Sequence, residues 1–125
     1  MSNERLERGM EMRRRVLGDE HVARAEAART PFLSDFVDYF VGSAWGEVWT
    51  RPGLDLRTRS CITVAMLVAL DKPEELALHL RAARRNGVSE SDLKEVLLQA
   101  AVYCGIPAAN AAFRLASEVL QESTE

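Results

Sequence analysis

Cysteine, histidine, lysine and proline are all scarce in this 125-residue chain, and each shortage excludes something. The two cysteines, Cys61 and Cys104, are too few and too far apart for a disulfide framework or a CxxC site. The two histidines, His21 and His79, stand 58 positions apart, and neither lies in an HExxH or similar ligand spacing. Metal catalysis is therefore not expected. Lys72 and Lys94 are the only lysines among 16 basic residues, and 19 acidic residues bring the net charge to −3. That balance gives no nucleic-acid footprint. The longest apolar stretch, over 61–70 and interrupted only by Thr63, has ten residues, against about 20 for a membrane-spanning helix. The opening Ser-Asn-Glu-Arg lacks the apolar stretch of a secretory signal. No membrane partner is expected, and the cytoplasm is the expected compartment.

What is present points to a globular helical protein. Hydrophobic residues make up 47% and charged residues 28%, values of ordinary soluble domains. The length predicts a single domain over 1–125, with a core over about 30–120 and an N-terminal helical arm over 3–28. Ala (17) and Leu (15) dominate, four prolines interrupt them, and no useful β-branched alternation appears. The fold class is all-α, with about six to seven helices.

Start and stop signals divide the chain. A first helix over about 3–17 stops at Gly18, and a short second one covers 21–28. Thr30-Pro31 is an N-cap with proline at the first helical position. The apolar segment that follows ends near Gly42, or bends and continues to Trp49. Asp55 can cap the next helix, whose interior over 61–70 is apolar all round and so predicts a buried centre. Asp71 and Glu74 have capping-box spacing, as do Ser89 and Asp92. These predict helices ending at Gly87 and at Gly105, and a last helix covers about 107–121. Residues 122–125 are expected to fray.

Three places could carry chemistry. His79 follows Leu76 by three and precedes Ala83 by four, on the bundle-facing side of its helix, with Glu75 one turn before it. It is either a satisfied core histidine or a general acid or base in a cleft. Arg57 and Arg59 fall in the first turn of the apolar helix, where the macrodipole disfavours cations. Each therefore needs a carboxylate partner, from the protein or from a ligand. The two are about 200° apart on a helix, so one cleft does not use both equally, and a structural ion pair is expected for at least one. Trp45 and Trp49 share a helical face, which predicts packing, while Glu47 points elsewhere and serves as an acid only if buried. Arg13-Arg14-Arg15 lies among Glu4, Glu7 and Glu11 and reads as a solvated, self-paired face. Cys61 and Cys104 read as small buried hydrophobes.

Several stretches in one order resemble the carboxymuconolactone decarboxylase family. They include Gly9-Met-Glu-Met-Arg13-Arg14-Arg15, Ala44-Trp45-Gly46-Glu47-Val-Trp49-Thr-Arg51-Pro52-Gly53 and Arg57-Thr58-Arg59-Ser60. Glu75-Leu-Ala-Leu-His79-Leu-Arg81 and Gly105-Ile-Pro107-Ala-Ala-Asn110 follow. The likeness spans about 5–120. It implies an AhpD-like all-α bundle and a homo-oligomer, a hexamer or a trimer. It also implies cofactor-free decarboxylation of 4-carboxymuconolactone, a lactone dicarboxylate of protocatechuate breakdown. Redox relatives of the wider superfamily carry a CxxC ending four positions before the matching histidine. Lys72 and Glu75 occupy those two positions here, so thiol chemistry is not implied.

On that resemblance, His79 is expected to transfer the proton, with Glu47 or Glu75 as partner. Arg57 or Arg59 is expected at the acetate arm or lactone oxygen, and Trp45 as an apolar wall. His21 is a further candidate, reaching a cleft across a subunit boundary. Competing readings are a thiol peroxidase or disulfide reductase on the same fold, a decarboxylase of another lactone, and a non-catalytic helical assembly protein.

Overall fold

A computed structural model describes residues 2–122, and the chain is all-α across them: α1 (Ser2–Leu17), α2 (Asp19–Ala27), α3 (Pro31–Phe40), a π-helical segment (Val41–Val48), α4 (Leu56–Leu70), α5 (Pro73–Arg85), α6 (Glu90–Cys104) and α7 (Ile106–Glu122). They form two compact units, one up to Asp55 and one from Leu56 onward.

In the first unit α1 packs along the π-helical segment. Glycines make the approach possible. A Cβ at Gly9 would overlap the Val41 carbonyl oxygen, and one at Gly46 would stand 2.6 Å from the Arg5 carbonyl oxygen. The segment after Pro31 continues as a π-helix to Val48, where the sequence leaves open a stop near Gly42. Thr30 caps α3 as expected, its hydroxyl oxygen accepting from the Leu33 N–H at 3.3 Å. We predict that Gly9→Ala destabilises the protein by about 1–3 kcal/mol, the usual cost of overpacking a close contact. Urea denaturation reads this directly, and an unchanged midpoint would contradict the packing described.

Arg13 is not part of a solvated face. It is buried, its Nη1 donates to Glu26 at 3.4 Å, and its guanidinium stands 5.3 Å from the centroid of the Phe40 ring. Burial pushes its pKa down, while Glu26 opposes that shift. Arg29 extends the network, donating to Glu26 at 3.1 Å and to Asp38 at 2.8 Å. Together these contacts tie α1, α2 and α3 through charge as well as apolar packing.

The second unit is built around α4 and α5, which pack with α6 and α7 on a core that includes Val64, Val68, Leu76, Leu80, Leu93 and Leu97. Ser89 and Asp92 form the expected capping box, each donating a backbone N–H to the other's side chain at 3.0 Å. The Asp71–Glu74 pattern works differently. Asp71 has φ 56°, and the N–H groups of Asp71 and Lys72 bond back to Val68 and Leu67. Asp71 thus closes α4 in a left-handed C-terminal motif, and α5 begins with Pro73 and no side-chain cap.

Helix α4 is not buried all round. Ser60, Val64 and Val68 are buried, whereas Ile62, Met66 (59% exposed) and Leu70 face outward. At the end of α7, Glu122 is not frayed but held by Arg81 through paired bonds of 2.9 and 3.0 Å. Residues 123–125 lie outside the described residues. No helix among the described residues is long and apolar enough to cross a membrane.

Candidate active site

The first unit carries Trp45, Glu47 and His21. Trp45 is buried and stacks on Trp49, ring centroids 5.0 Å apart with planes at 22°. That is the packing pair expected from a four-residue spacing. Glu47 is half-exposed rather than buried. Its Oε1 instead lies 2.8 Å from Nε of Arg5 on α1. His21 is half-buried on α2.

The second unit carries Arg57, Arg59 and His79. Arg57 meets the expected structural ion pair: its Nη2 stands 2.6 Å from Oδ2 of Asp92. Asp92 is the residue that closes the α6 capping box, so one carboxylate serves both α6 and α4. The Ser89 N–H and the Arg57 guanidinium bring the Asp92 pKa down from 3.8 to about 2. A depressed acid stabilises the fold above its unfolded value and loses that contribution as the pH falls through the folded one. This tie therefore holds at any assay pH and weakens only as the pH drops from about 4 toward 2.

The next residues on α4 are tied to the same turn. Ser60 is fully buried, and its hydroxyl accepts from Asn86 Nδ2 at 2.8 Å. Asn86 ends α5 and Asp92 begins α6. The α5–α6 turn thus holds the start of α4 from both of its ends, while half-buried Arg59 lies about 200° around the helix from Arg57. His79 lies on the face of α5 that carries Asn86, two turns earlier, or about 10 Å along the axis. It is 8% exposed, beside the core stripe of Leu76, Leu80 and Ala83. Glu75, one turn before His79, is exposed. Among the described residues no group of three or more His, Cys, Asp or Glu could hold a metal ion.

Residues 34–118 match the carboxymuconolactone decarboxylase family. The chain belongs to that family. It is 45% identical over 119 residues to 4-carboxymuconolactone decarboxylase of Acinetobacter baylyi, covering 95% of this chain and 89% of that protein. It is 42% identical over 102 residues to nitrosuccinic acid decarboxylase of Metarhizium robertsii, covering 82% of this chain and 71% of that one. A third relative, from Paracoccus denitrificans, is 30% identical over 84 residues, covering 65% and 62% of the two chains, and has no described activity in its name.

Arg5, Asn86 and Asp92, which contact Glu47, Ser60 and Arg57, are residues that sequence reasoning does not single out. Asp92 is visible as a cap, but a capping pattern says nothing of a second, tertiary partner. The Gly42–Gly46 spacing is the available signal for Arg5, because small residues one turn apart let another helix lie close.

Proposed function

We infer that the protein is a carboxy-lyase that removes CO₂ from 4-carboxymuconolactone without a cofactor, in the β-ketoadipate route of protocatechuate breakdown. The observation that carries this reading is the 45% identity to a 4-carboxymuconolactone decarboxylase over nearly the whole of both chains. We place it in the cytoplasm, as one functional domain over 1–125.

The chemistry asks little of the protein. The substrate is a dianion whose ring carbon bears a carboxylate next to a conjugated lactone. When the carbon–carboxylate bond breaks, its electron pair moves through the alkene onto the lactone carbonyl, giving an enolate and CO₂. A proton then returns to the carbon beside the carbonyl, and the ring double bond ends one position over. The substrate supplies its own electron sink, so the enzyme has to stabilise the oxyanion and deliver one proton. Preorganised donors at a developing oxyanion are worth about 2.7–4 kcal/mol each.

We assign proton transfer to His79 and catalytic carboxylate duty to Glu47. Arg57 or Arg59 takes the acetate arm or the lactone oxygen, the half-buried Arg59 ahead of the exposed Arg57, whose Nη2 stands 2.6 Å from Asp92. An arginine on the departing carboxylate would stabilise the ground state and slow the reaction. Trp45 supplies an apolar wall for the leaving CO₂, and His21 contacts substrate from a neighbouring subunit.

A homo-oligomer, hexamer or trimer, accounts for apolar surface that a lone chain leaves wet. Ile62, Met66 and Leu70 on α4 and Leu98, Val102 and Tyr103 (80% exposed) on α6 are large, apolar and outward-facing. Helices α4 and α6 pack together, with a shallow groove lined by Cys61, Ile62, Ala65 and Val96 between them. Monomeric proteins rarely expose contiguous patches of this kind. A Met66→Glu, Val102→Glu double variant is expected to elute as a smaller species on size-exclusion chromatography while keeping its helical circular dichroism. Retention of the wild-type size would remove these helices from the interface.

The test of the function is ultraviolet-monitored turnover of freshly generated 4-carboxymuconolactone. The 42% identity to a nitrosuccinic acid decarboxylase favours a second reading with the same logic. A nitro group beside a carboxylate is also an electron sink, so nitrosuccinate belongs in the same assay. A higher kcat/KM for nitrosuccinate would replace the lactone as the preferred substrate.

A further inference from the structure

We propose that Arg5 is a positioning residue that holds the Glu47 carboxylate in its working place, an inference that rests on the catalytic assignment of Glu47. In an ordinary α-helix residue 47 would stand about 140° around the axis from residue 42. In a π-helix the i→i+5 bond stacks it one turn above. The segment Val41–Val48 is π-helical, and the Trp49 N–H bonds to the Ala44 carbonyl, five residues back, at 2.9 Å. This geometry brings Glu47 over Gly42, on the side where α1 packs.

Arg5 is seated on that same surface by the glycines. A Cβ on Gly42 would stand 3.2 Å from both Cζ and Nε of Arg5, and one on Gly46 would stand 2.6 Å from its carbonyl oxygen. The guanidinium thus lies flat on bare backbone, with its main chain pinned one turn away. From there Nε lies 2.8 Å from Glu47 Oε1, an ion-pair contact by distance that is not aligned as a hydrogen bond. No other ion pair of Glu47 is formed within the described residues. A half-exposed glutamate would otherwise sample several rotamers. Here one arginine, a glycine track and the π-register select one placement.

The experiment compares Arg5→Met, Arg5→Lys, Glu47→Gln and the Arg5→Met, Glu47→Gln double variant in steady-state decarboxylation of 4-carboxymuconolactone, with thermal melts alongside. Misplacing a catalytic group by about 1 Å can cost about 100-fold. Arg5→Met is therefore expected to lower kcat by up to about 100-fold with KM within about twofold of wild type. Arg5→Lys recovers part of the loss, since it keeps the charge without the flat seat. The double variant is expected to be no slower than Glu47→Gln alone, because the arginine acts only through the glutamate. Wild-type kcat in Arg5→Met, or losses that simply add, overturns the inference. A lowered melting temperature with unchanged kcat marks Arg5 as structural only and overturns it as well. If Glu47→Gln itself keeps wild-type kcat, the catalytic assignment of Glu47 falls first and takes the inference with it.

Discussion

His79→Gln is expected to lower kcat for 4-carboxymuconolactone by about 10²–10⁴-fold, the usual contribution of a positioned general acid. Gln matches the imidazole in length and can still hydrogen bond, but it cannot give up and regain a proton near neutrality. The loss therefore belongs in kcat, with KM little changed. A buried histidine with a purely structural role predicts a different pattern. Its replacement lowers the melting temperature and the active fraction, and the enzyme that remains folded turns over normally. His79 is 8% exposed beside the core stripe of α5, so both readouts must be taken from the same preparation. Near-wild-type kcat in a folded His79→Gln enzyme would exclude the proton-transfer role.

The second large effect separates the two arginines of α4. Arg59→Met is expected to reduce kcat/KM by about 10²–10³-fold, the cost of one lost oxyanion donor. Arg57→Met is expected to change kcat/KM far less and to lower the melting temperature only slightly, because exposed ion pairs contribute little to stability. The distinction follows from exposure: Arg57 is exposed and paired with Asp92 at 2.6 Å, whereas Arg59 is half-buried. Equal losses for the two variants, or a larger one for Arg57→Met, would reverse the assignment.

Local signals make most of the helices legible from the amino-acid sequence. Thr30-Pro31, the Ser89–Asp92 box and the glycines at 18, 87 and 105 act through backbone bonds within a few residues, and they mark ends where the structure has them. The failures are tertiary. Asp71 resembles a cap because the same spacing also suits a left-handed C-terminal residue, and only the bonds back to Leu67 and Val68 decide between them. The apolar run of α4 predicts burial, yet Ile62, Met66, Ala69 and Leu70 are exposed. Apolarity all round a helix says that both faces need cover, not that one chain provides it. Arg13 reads as solvated because its neighbours in sequence are acidic, whereas its partners Glu26 and Phe40 come from α2 and α3.

The candidate site is legible by residue type and by resemblance, and much less by pairing. An α-helical wheel turns Glu47 away from α1; the π-segment turns it back toward Arg5. Nothing local announces a π-turn here. It accompanies the close crossing of Gly42 and Gly46 with Arg5 and Gly9 of α1, a contact between residues more than 30 positions apart. The paucity of histidine and cysteine has a chemical counterpart. A substrate with its own electron sink needs one proton donor and one or two cations. Arginine, with its fixed fork, suits carboxylate recognition better than lysine.

The central claim is that the reaction runs on the substrate's own lactone, with one proton delivered by the protein. It is tested most directly by turnover of 4-carboxymuconolactone in deuterium oxide, with protein dialysed against chelator and no thiol or cofactor added. The account predicts one CO₂ released per substrate consumed and a single solvent deuterium on the carbon beside the lactone carbonyl. Absence of CO₂ release, or turnover that appears only when a metal or thiol is restored, would contradict it.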